Sequence, residues 1–433
     1  MHDKADPTSI RQIYLPHRGK HIESTTHMPA NFHFFRPILA TDRSWIARDW
    51  LSDTPFSNDC SQLVRCFIEA KAAPLADLLP LVTPVTPALL ENSAFIDEFD
   101  PKQVIFVLPE ECLENSITMA RCKELRSQGH RLGIRLESAK RLRQVPLAAF
   151  DHLQIDSSFA REQLNAADLG YADDAGFRKI ATNVTSHETF SWVTANKFDW
   201  SESRFLSTPN PTSGKEPDLA RLKLLKLLNL VKQDGDTREI EAIFREEPKL
   251  SFNLLRLVNS VAVGARTKIS NFSQAIAILG RRQLQRWLQL LIYADNLADS
   301  NTPNPLMQLA AARGRQMELL SAVLKHTDST PEISDNAFIT GLFSLLDVLL
   351  NMPMNDILKE LPVEDDVATA LSPKHGGVLG HLLAAVIAGE SGNYQAAEAV
   401  FSELMISPST HARAQVQAYY WANRINTENS DQP

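Results

Sequence analysis

The sequence is poor in cysteine, and its few thiols are not spaced as zinc or redox motifs require. It contains four cysteines in 433 residues, at Cys60, Cys66, Cys112 and Cys122. A zinc ribbon or a thioredoxin-like centre needs pairs of the Cys-x-x-Cys type. The spacing therefore predicts reduced thiols, with a structural disulfide as the alternative, and it predicts no metal or redox cofactor.

The chain also lacks long apolar runs. No uninterrupted stretch reaches the ~18 residues that a membrane span needs. The N-terminal residues carry charges and prolines where a secretory signal has its apolar core. These features predict a cytoplasmic protein that does not enter a membrane.

Basic residues do not dominate the composition. The chain has 44 lysines and arginines against 52 acids, for a net charge of -8. This balance argues against general nucleic-acid binding. The segment 121–143 is locally basic, which indicates either a solvated surface or an electropositive patch for an anionic partner. Arg281, Arg282 and Arg286, beside Trp287, are predicted on the exposed face of an amphipathic helix, with phosphate recognition as the alternative.

Motifs of nucleophilic catalysis are missing as well. The sequence has no Gly-x-Ser-x-Gly elbow, and neither Cys112 nor Cys122 has a histidine and an acid at a recognisable spacing. A serine or thiol hydrolase is therefore not predicted.

Short apolar segments alternate with helical ones in the first half of the chain. We predict strands at 35–40, 103–108, 130–136 and 150–158, with a helix over 111–128. Strands that alternate with helices favour parallel pairing through crossovers, and hence a barrel-like α/β domain.

The second half reads as helix throughout. Apolar residues recur at helical spacing, and we predict successive helices near 219–228, 237–246, 250–263, 270–280, 281–294, 376–405 and 412–425. A proline- and glycine-containing run separates the halves. The predicted organisation is a flexible arm (1–30), an α/β barrel (31–209), a linker (210–217), an all-helical domain (218–426) and a disordered tail (427–433).

Three segments of the helical half stand out: LLRLVNS at 254–260, SQAIAILG at 273–280 and FSLLDVLLNMPMNDILKELPV at 343–363. The first two resemble the HDOD family, and the third is similar to the EAL–HDOD tandem group. The resemblance implies a bundle related to the HD metallohydrolases that binds partners in bacterial signalling. Ser344 and Leu345 stand where HD enzymes have their histidine–aspartate metal ligands, so the resemblance implies no metal there.

In the first half, Asp49-Trp50-Leu51 follows the first predicted strand, and Glu110 follows the strand over 103–108. With the predicted strands in this order, the segment resembles the EAL family of cyclic-di-GMP phosphodiesterases, which implies a TIM-like barrel. Asp49-Trp50-Leu51 then stands for the defining Glu-Ala-Leu, and Glu110 for a family glutamate. Arg135-Leu136 replaces a pair of aspartates, and Gln154 replaces a lysine. Asp151 and Asp156 remain, but both glutamates of the next motif become threonines in 181–186.

These substitutions remove the ligands that the family's divalent cations need. An arginine and a leucine cannot bind a cation in place of two carboxylates. We therefore predict no catalytic residue, no metal ligand and no cofactor. The positions that could be vestigial or touch a ligand are Asp49, Glu110, Arg135, Gln154, Asp156 and Arg204.

The fold class expected is α/β plus all-α: a degenerate EAL barrel followed by an HDOD helical bundle. The function expected is a non-enzymatic bacterial signalling regulator, which binds unidentified signalling proteins through the HDOD domain. The alternative is a sensor that binds cyclic-di-GMP or another phosphorylated nucleotide without hydrolysis, with Arg135 and Arg204 on the phosphates. The sequence does not indicate an oligomeric state.

Overall fold

The computed structural model describes residues 32–52, 66–210, 285–290, 304–324, 331–360 and 363–424. The chain divides into two compact units, Met1–Ala30 and Asn31–Pro433, and the first lies outside the described residues. The predicted arm, tail, most of the linker and the helices expected between 219 and 284 also lie outside them. Of the helix expected over 281–294, residues 285–290 are described, and they are helical.

Eight strands form a closed barrel in the order in which they occur along the chain. Their bounds are Phe34–Ala40 (β1), Trp45–Leu51 (β2), Leu81–Pro84 (β3), Val104–Pro109 (β4), Arg131–Leu136 (β5), His152–Asp156 (β6), Arg178–Thr182 (β7) and Trp200–Glu202 (β8). The predicted barrel is thus confirmed, and each of the four predicted strands is present.

The first strand departs from the predicted all-parallel pairing. β1 runs antiparallel to both of its neighbours, β2 and β8, whereas β2 to β8 pair in parallel. A two-strand hairpin through the turn after Ala40 explains the direction, because so short a connection cannot make a parallel crossover. The N-terminal end of β1 therefore lies at the same edge of the barrel as the C-terminal ends of the other strands.

Short helices connect the strands. Their bounds are Ala73–Leu78 (α1), Pro87–Glu91 (α2), Ser93–Ile96 (α3), Ser116–Ser127 (α4), Ser157–Gln163 (α5), Ala166–Asp174 (α6) and His187–Ala195 (α7). The helix predicted over 111–128 begins later, at Ser116, because Asn115 caps it by accepting hydrogen bonds from the next backbone amides.

The described part of the second half is helical, as predicted. Its helices are Pro305–Ser321 (α8), Pro331–Phe343 (α9), Leu346–Leu350 (α10), Met354–Glu360 (α11), Asp365–Leu371 (α12), Gly377–Ser391 (α13), Tyr394–Glu403 (α14) and Pro408–Arg424 (α15). α8 and α9 cross closely at Gly314 and Gly341, where an added Cβ would stand under 3 Å from backbone atoms of the other helix.

An aromatic cluster joins the barrel to the helices. Phe32 and Phe34, at the start of β1, pack against His411 of α15 with ring centroids 5.6 and 5.0 Å away. Phe32 also stacks on Phe401 of α14 at 5.7 Å, and the amide of Phe35 donates to the Gln415 side chain at 3.1 Å. Barrel and helices therefore share one continuous core.

One described segment, Ile333–Leu350, is long and apolar enough to cross a membrane by length and composition. Its mean hydropathy is 1.5, and 44% of it is buried within the structure. Asp335 and Asp347 interrupt it, so it is not an unbroken apolar run, and it covers two helices, α9 and α10. Buried core helices pass the same test.

Three of the cysteines are described, and all three are free and buried. Burial raises the pKa of the thiols of Cys66, Cys112 and Cys122 to about 12. The prediction of reduced thiols is confirmed for these three, and Cys60 lies outside the described residues.

Candidate ligand site at the barrel mouth

The mouth of the barrel is the edge where β2 to β8 end and β1 begins. In parallel barrels this edge carries the functional side chains, because every loop after a strand opens there. The side chains expected to matter, Asp49, Glu110, Arg135, Gln154, Asp156 and Arg204, all lie on or next to this edge.

Arg36 of β1 lies at the mouth, between side chains of the two neighbouring strands β2 and β8. One nitrogen of its guanidinium, Nη2, lies 3.0 Å from an Asp49 oxygen and 2.9 Å from a Glu202 oxygen. The three residues are 7%, 2% and 5% exposed. They come together because Arg36 pairs directly with Asp49 in the β1–β2 register, and β8 borders β1 on the other side.

The electrostatics of this triad reflect its burial. Desolvation acts to lower the pKa of Arg36, but the charges of Glu202 and Asp49 outweigh it and raise that pKa. Burial also raises the pKa of Asp49, and the charge of Arg36 only partly offsets this. The two carboxylates lie side by side with one cationic side chain between them, so Arg36 supplies the counter-charge at this place.

The second oxygen of Glu202 is also engaged. It accepts a hydrogen bond from the backbone amide of Asn183 at 2.8 Å and one from Nε of Arg204 at 3.0 Å. Asn183 has a positive φ of 58°, which turns its amide toward the mouth. Arg204 also donates to the Asn183 side-chain oxygen at 3.3 Å. Sequence reasoning included Arg204 but missed Arg36 and Glu202 as members of the site.

Glu110 binds the loop that follows β5. One of its carboxylate oxygens accepts hydrogen bonds from the backbone amides of Glu137 and Ser138 at 2.8 and 3.0 Å. The other lies 3.6 Å from Nε of Arg141. This carboxylate therefore fixes the β5 loop at the mouth.

Asp156 and Asp151 have structural partners too. Asp156 caps α5, accepting the amides of Ser158 and Phe159 at 2.8 and 3.1 Å. Asp151 precedes β6, at the opposite end of that strand, and pairs with Arg126 at 2.8 Å. The sequence resemblance places these acids in one motif, and the structure separates them.

Arg135 and Gln154 form a neighbouring contact inside the barrel. They stand opposite each other in the β5–β6 register, and Nε of Arg135 donates to the Gln154 side chain at 3.0 Å. Arg135 therefore already has an amide partner where the family would have a carboxylate and a lysine.

The arrangement does not fit a divalent metal. Among the residues that the structure describes, no three histidine, cysteine, aspartate or glutamate side chains converge on one point. Asp49 and Glu202 do approach each other, but a guanidinium occupies the position between them. Divalent cations need several oxygen ligands on one centre, and the mouth offers two that are already neutralised.

The helical half shows a similar substitution. Arg313 of α8 donates to the Ser344 hydroxyl at 2.6 Å and forms a two-point pair with Glu390 of α13, with distances of 2.5 and 3.2 Å. Asp347 begins α10 and is half-buried, and burial raises the pKa of its carboxyl. Ser344, at one of the HD ligand positions, is therefore hydrogen-bonded to an arginine.

Four of the eight basic residues in the segment 121–143 form ion pairs. Several of its arginines pair with acids at 2.7 to 3.4 Å: Arg121 with Glu124, Arg126 with Asp151, Arg141 with Glu114 and Arg143 with Asp168. This arrangement favours the interpretation as a solvated, ion-paired surface.

The prediction of an exposed Arg286 is wrong. Its side chain is largely buried, pairs with Glu318 of α8 and with Asp335 of α9, and stacks over Phe338 at 4.9 Å. Two acids on neighbouring helices draw it inward, which the helical period of its own segment does not reveal.

Comparisons with known proteins show a match to the HDOD domain in part of the second half of the chain. The HDOD domain family matches residues 219–364. The chain is 25% identical over 280 residues to the uncharacterised protein YuxH of Bacillus subtilis (strain 168), covering 63% of this chain and 67% of YuxH. It is 24% identical over 365 residues to CdgJ of Vibrio cholerae serotype O1, which is named as a cyclic di-GMP phosphodiesterase, covering 84% of this chain and 79% of CdgJ.

Solved EAL domains are similar to about two fifths of the chain. The phosphodiesterase PaMucR in complex with c-di-GMP has a TM-score of 0.33 and 12% identity, covering 42% of this chain and 93% of its own. An EAL domain protein from Listeria monocytogenes EGD-e has a TM-score of 0.33 and 15% identity, covering 42% of this chain and 89% of its own.

Proposed function

We propose that this chain is a non-catalytic bacterial signalling regulator of the cytoplasm, which acts by binding other proteins through its HDOD region. The observation that carries the proposal is the position of Arg36. Its guanidinium stands between Asp49 and Glu202, where a metal-dependent hydrolase would need carboxylates free to hold a cation.

The other acids of the mouth support the same conclusion. Glu110 and Asp156 accept backbone amides, which fix their oxygens in place. Phosphodiester hydrolysis on such a barrel relies on a metal-activated water. Neutralising either acid should therefore disturb a loop or a helix end. It should not change a rate of hydrolysis, because we expect no hydrolysis.

The competing function is that named for the relative CdgJ, hydrolysis of cyclic di-GMP. The test incubates the purified full chain with cyclic-di-GMP and magnesium or manganese and follows the linear product by chromatography. We expect no product above the rate of a blank without protein. Product that forms with the wild type and disappears in Glu110→Gln or Asp156→Asn would show that the proposal is wrong.

Calorimetry with the same full chain separates regulation by protein contacts from nucleotide sensing. We expect no heat from cyclic-di-GMP at high micromolar concentration.

Cross-linking of the full chain in extracts of its own organism, with cross-links mapped by mass spectrometry, then locates the partner. We expect partner cross-links within the HDOD region. Cross-links confined to the barrel, or saturable nucleotide heat, would contradict the proposal.

A further inference from the structure

The turn between α13 and α14 lies directly over the start of β1. Gly389 of α13 approaches Phe34 so closely that an added Cβ would stand 2.6 Å from the phenylalanine ring. Tyr394, the first residue of α14, stacks on the same ring with centroids 4.8 Å apart and planes 23° apart. Phe34 belongs to the barrel mouth, because it pairs with Leu51 at the end of β2.

Arg204 connects the mouth to this turn. Its Nε and Nη2 bind Glu202 and Asn183, while Nη1 lies 3.5 Å from the carbonyl oxygen of Ser391. Ser391 is the last residue of α13, and the carbonyl groups at a helix C-terminus attract a cation. The next residue, Gly392, has a φ of +90° and reverses the chain over the guanidinium.

The turn also explains why the charges of the mouth are shielded from solvent. Asp49, Glu202 and Arg36 are buried although they lie at the open edge of a barrel. Burial raises the pKa of Tyr394, and the charges of Arg36, Asp49, Glu202 and Arg204 all act on its hydroxyl. The phenol therefore stays neutral at physiological pH among four charged groups.

We propose that residues 389–394 form a resident plug of the barrel mouth, held by Arg204 and by the stacking of Tyr394 on Phe34, which must swing away before any other molecule can enter. The inference goes beyond the proposed function, because it concerns how the mouth is closed. It does not depend on which partner the HDOD region binds. A closed plug lowers the apparent affinity of any mouth ligand by the fraction of open molecules.

Hydrogen exchange of the full chain, read by mass spectrometry, tests the plug with two independent variants. Gly389→Ala places a methyl group against Phe34 and wedges the turn away, while Arg204→Met removes the cation but keeps much of the side-chain volume. The controls are Gly170→Ala, a helix glycine whose added Cβ meets nothing within 4 Å, and Arg161→Met, which loses one surface pair with Glu188.

We expect exchange in peptides covering 389–396, 34–36 and 200–204 to rise about tenfold in both plug variants, equal to about 1.4 kcal/mol of easier local opening. Peptides of β4 to β6 and of α8 should keep wild-type rates in both plug variants. In the controls, the peptides covering 389–396, 34–36 and 200–204 should not exchange faster than in the wild type. No change in Arg204→Met, or a uniform rise across β4 to β6 and α8 in both plug variants, would overturn the proposal.

Discussion

The guanidinium carbon of Arg48 lies 5.6 Å from the ring centroid of Tyr419, although Arg48 belongs to β2 and Tyr419 to α15. Trp45 contributes a second ring at the same distance. Arg48 is 0% exposed, and within the part of the chain that the structure describes none of its guanidinium nitrogens has a hydrogen-bond partner. Burial lowers the pKa of Arg48 to about 9.

Replacing Arg48 by methionine should stabilise the protein. Two cation–π contacts contribute about 2 kcal/mol or more each when desolvated, but an unpaired buried charge costs several kcal/mol. We expect Arg48→Met to raise the free energy of unfolding in urea by about 1–4 kcal/mol. Arg48→Ala, which leaves a cavity between the rings, serves as the matched control and should be less stable than Arg48→Met. A methionine variant less stable than the wild type would contradict this account.

Removing the charge of Arg36 should have the opposite effect. Arg36→Met leaves Asp49 buried without its cation beside Glu202, which keeps only Arg204, and this should cost about 3–5 kcal/mol of stability. The triple variant Arg36→Met, Asp49→Asn, Glu202→Gln should recover most of that loss, because neither acid then carries a charge and the Arg204 side chain, 24% exposed, reaches solvent. Urea denaturation of the wild type, the single variant and the triple variant measures the loss of stability and its recovery. Arg161→Met is the surface control and should change stability by about 1 kcal/mol or less. A triple variant as unstable as the single one would refute the electrostatic explanation.

The close crossing of α8 and α9 predicts the effect of a single methyl group. Gly341→Ala places its Cβ 2.7 Å from the backbone oxygen of Arg313, so the helices must separate. We expect a loss of about 1–3 kcal/mol from overpacking, measured as a lower urea midpoint. Gly170→Ala, also within a helix but facing open space, should instead gain about 0.5–1 kcal/mol. Equal effects at both glycines would show that helix propensity, not the crossing, decides.

Buried histidines make stability fall in acid. Burial lowers the pKa of His33 to about 4 and that of His411 to about 3, from an ordinary value near 6.5. Below pH 6.5 these two histidines take up protons in the unfolded chain, whereas in the folded chain they remain neutral until the pH approaches 4 for His33 and 3 for His411. Stability is therefore complete above pH 6.5 and declines as the pH falls toward 4, by about 3 kcal/mol for His33 alone.

The variant His33→Phe tests this assignment. His33 already packs its ring on Trp50 at 5.8 Å, and neither of its ring nitrogens has a partner among the described residues. Urea denaturation of both proteins at several pH values should give a shallower decline between pH 6.5 and 4 for the variant. Identical slopes would assign the acid sensitivity to other groups.

Four of the eight strands, β1, β4, β5 and β6, are predicted from the sequence, whereas β2, β3, β7 and β8 are missed. β4, with the sequence VIFVLP, is buried on both faces and is recognisable at once. β2, WIARDWL, carries Arg48 and Asp49 in its centre, and β8 has only three residues. Charges buried by partners elsewhere in the chain remove the apolar pattern on which such predictions depend.

The candidate site was predictable only in part, for a similar reason. The family resemblance singled out Asp49 and Glu110, and the structure places Asp49 within β2 and Glu110 directly after β4. The triad needs the antiparallel register of β1, which brings together residues 13 and 166 positions apart. In the sequence, Arg36 is a single charge within an apolar segment, and nothing marks it as part of a site. Tyr394 lies in the other half of the chain, so its place beside the mouth is visible only in the structure.

The guanidinium of Arg36 is a counter-ion tethered to the polypeptide itself. A chelator cannot strip it from Asp49 and Glu202, and its occupancy does not follow the magnesium level of the cell. The charge balance inside the barrel is therefore set by the amino-acid sequence and not by the ions around the protein.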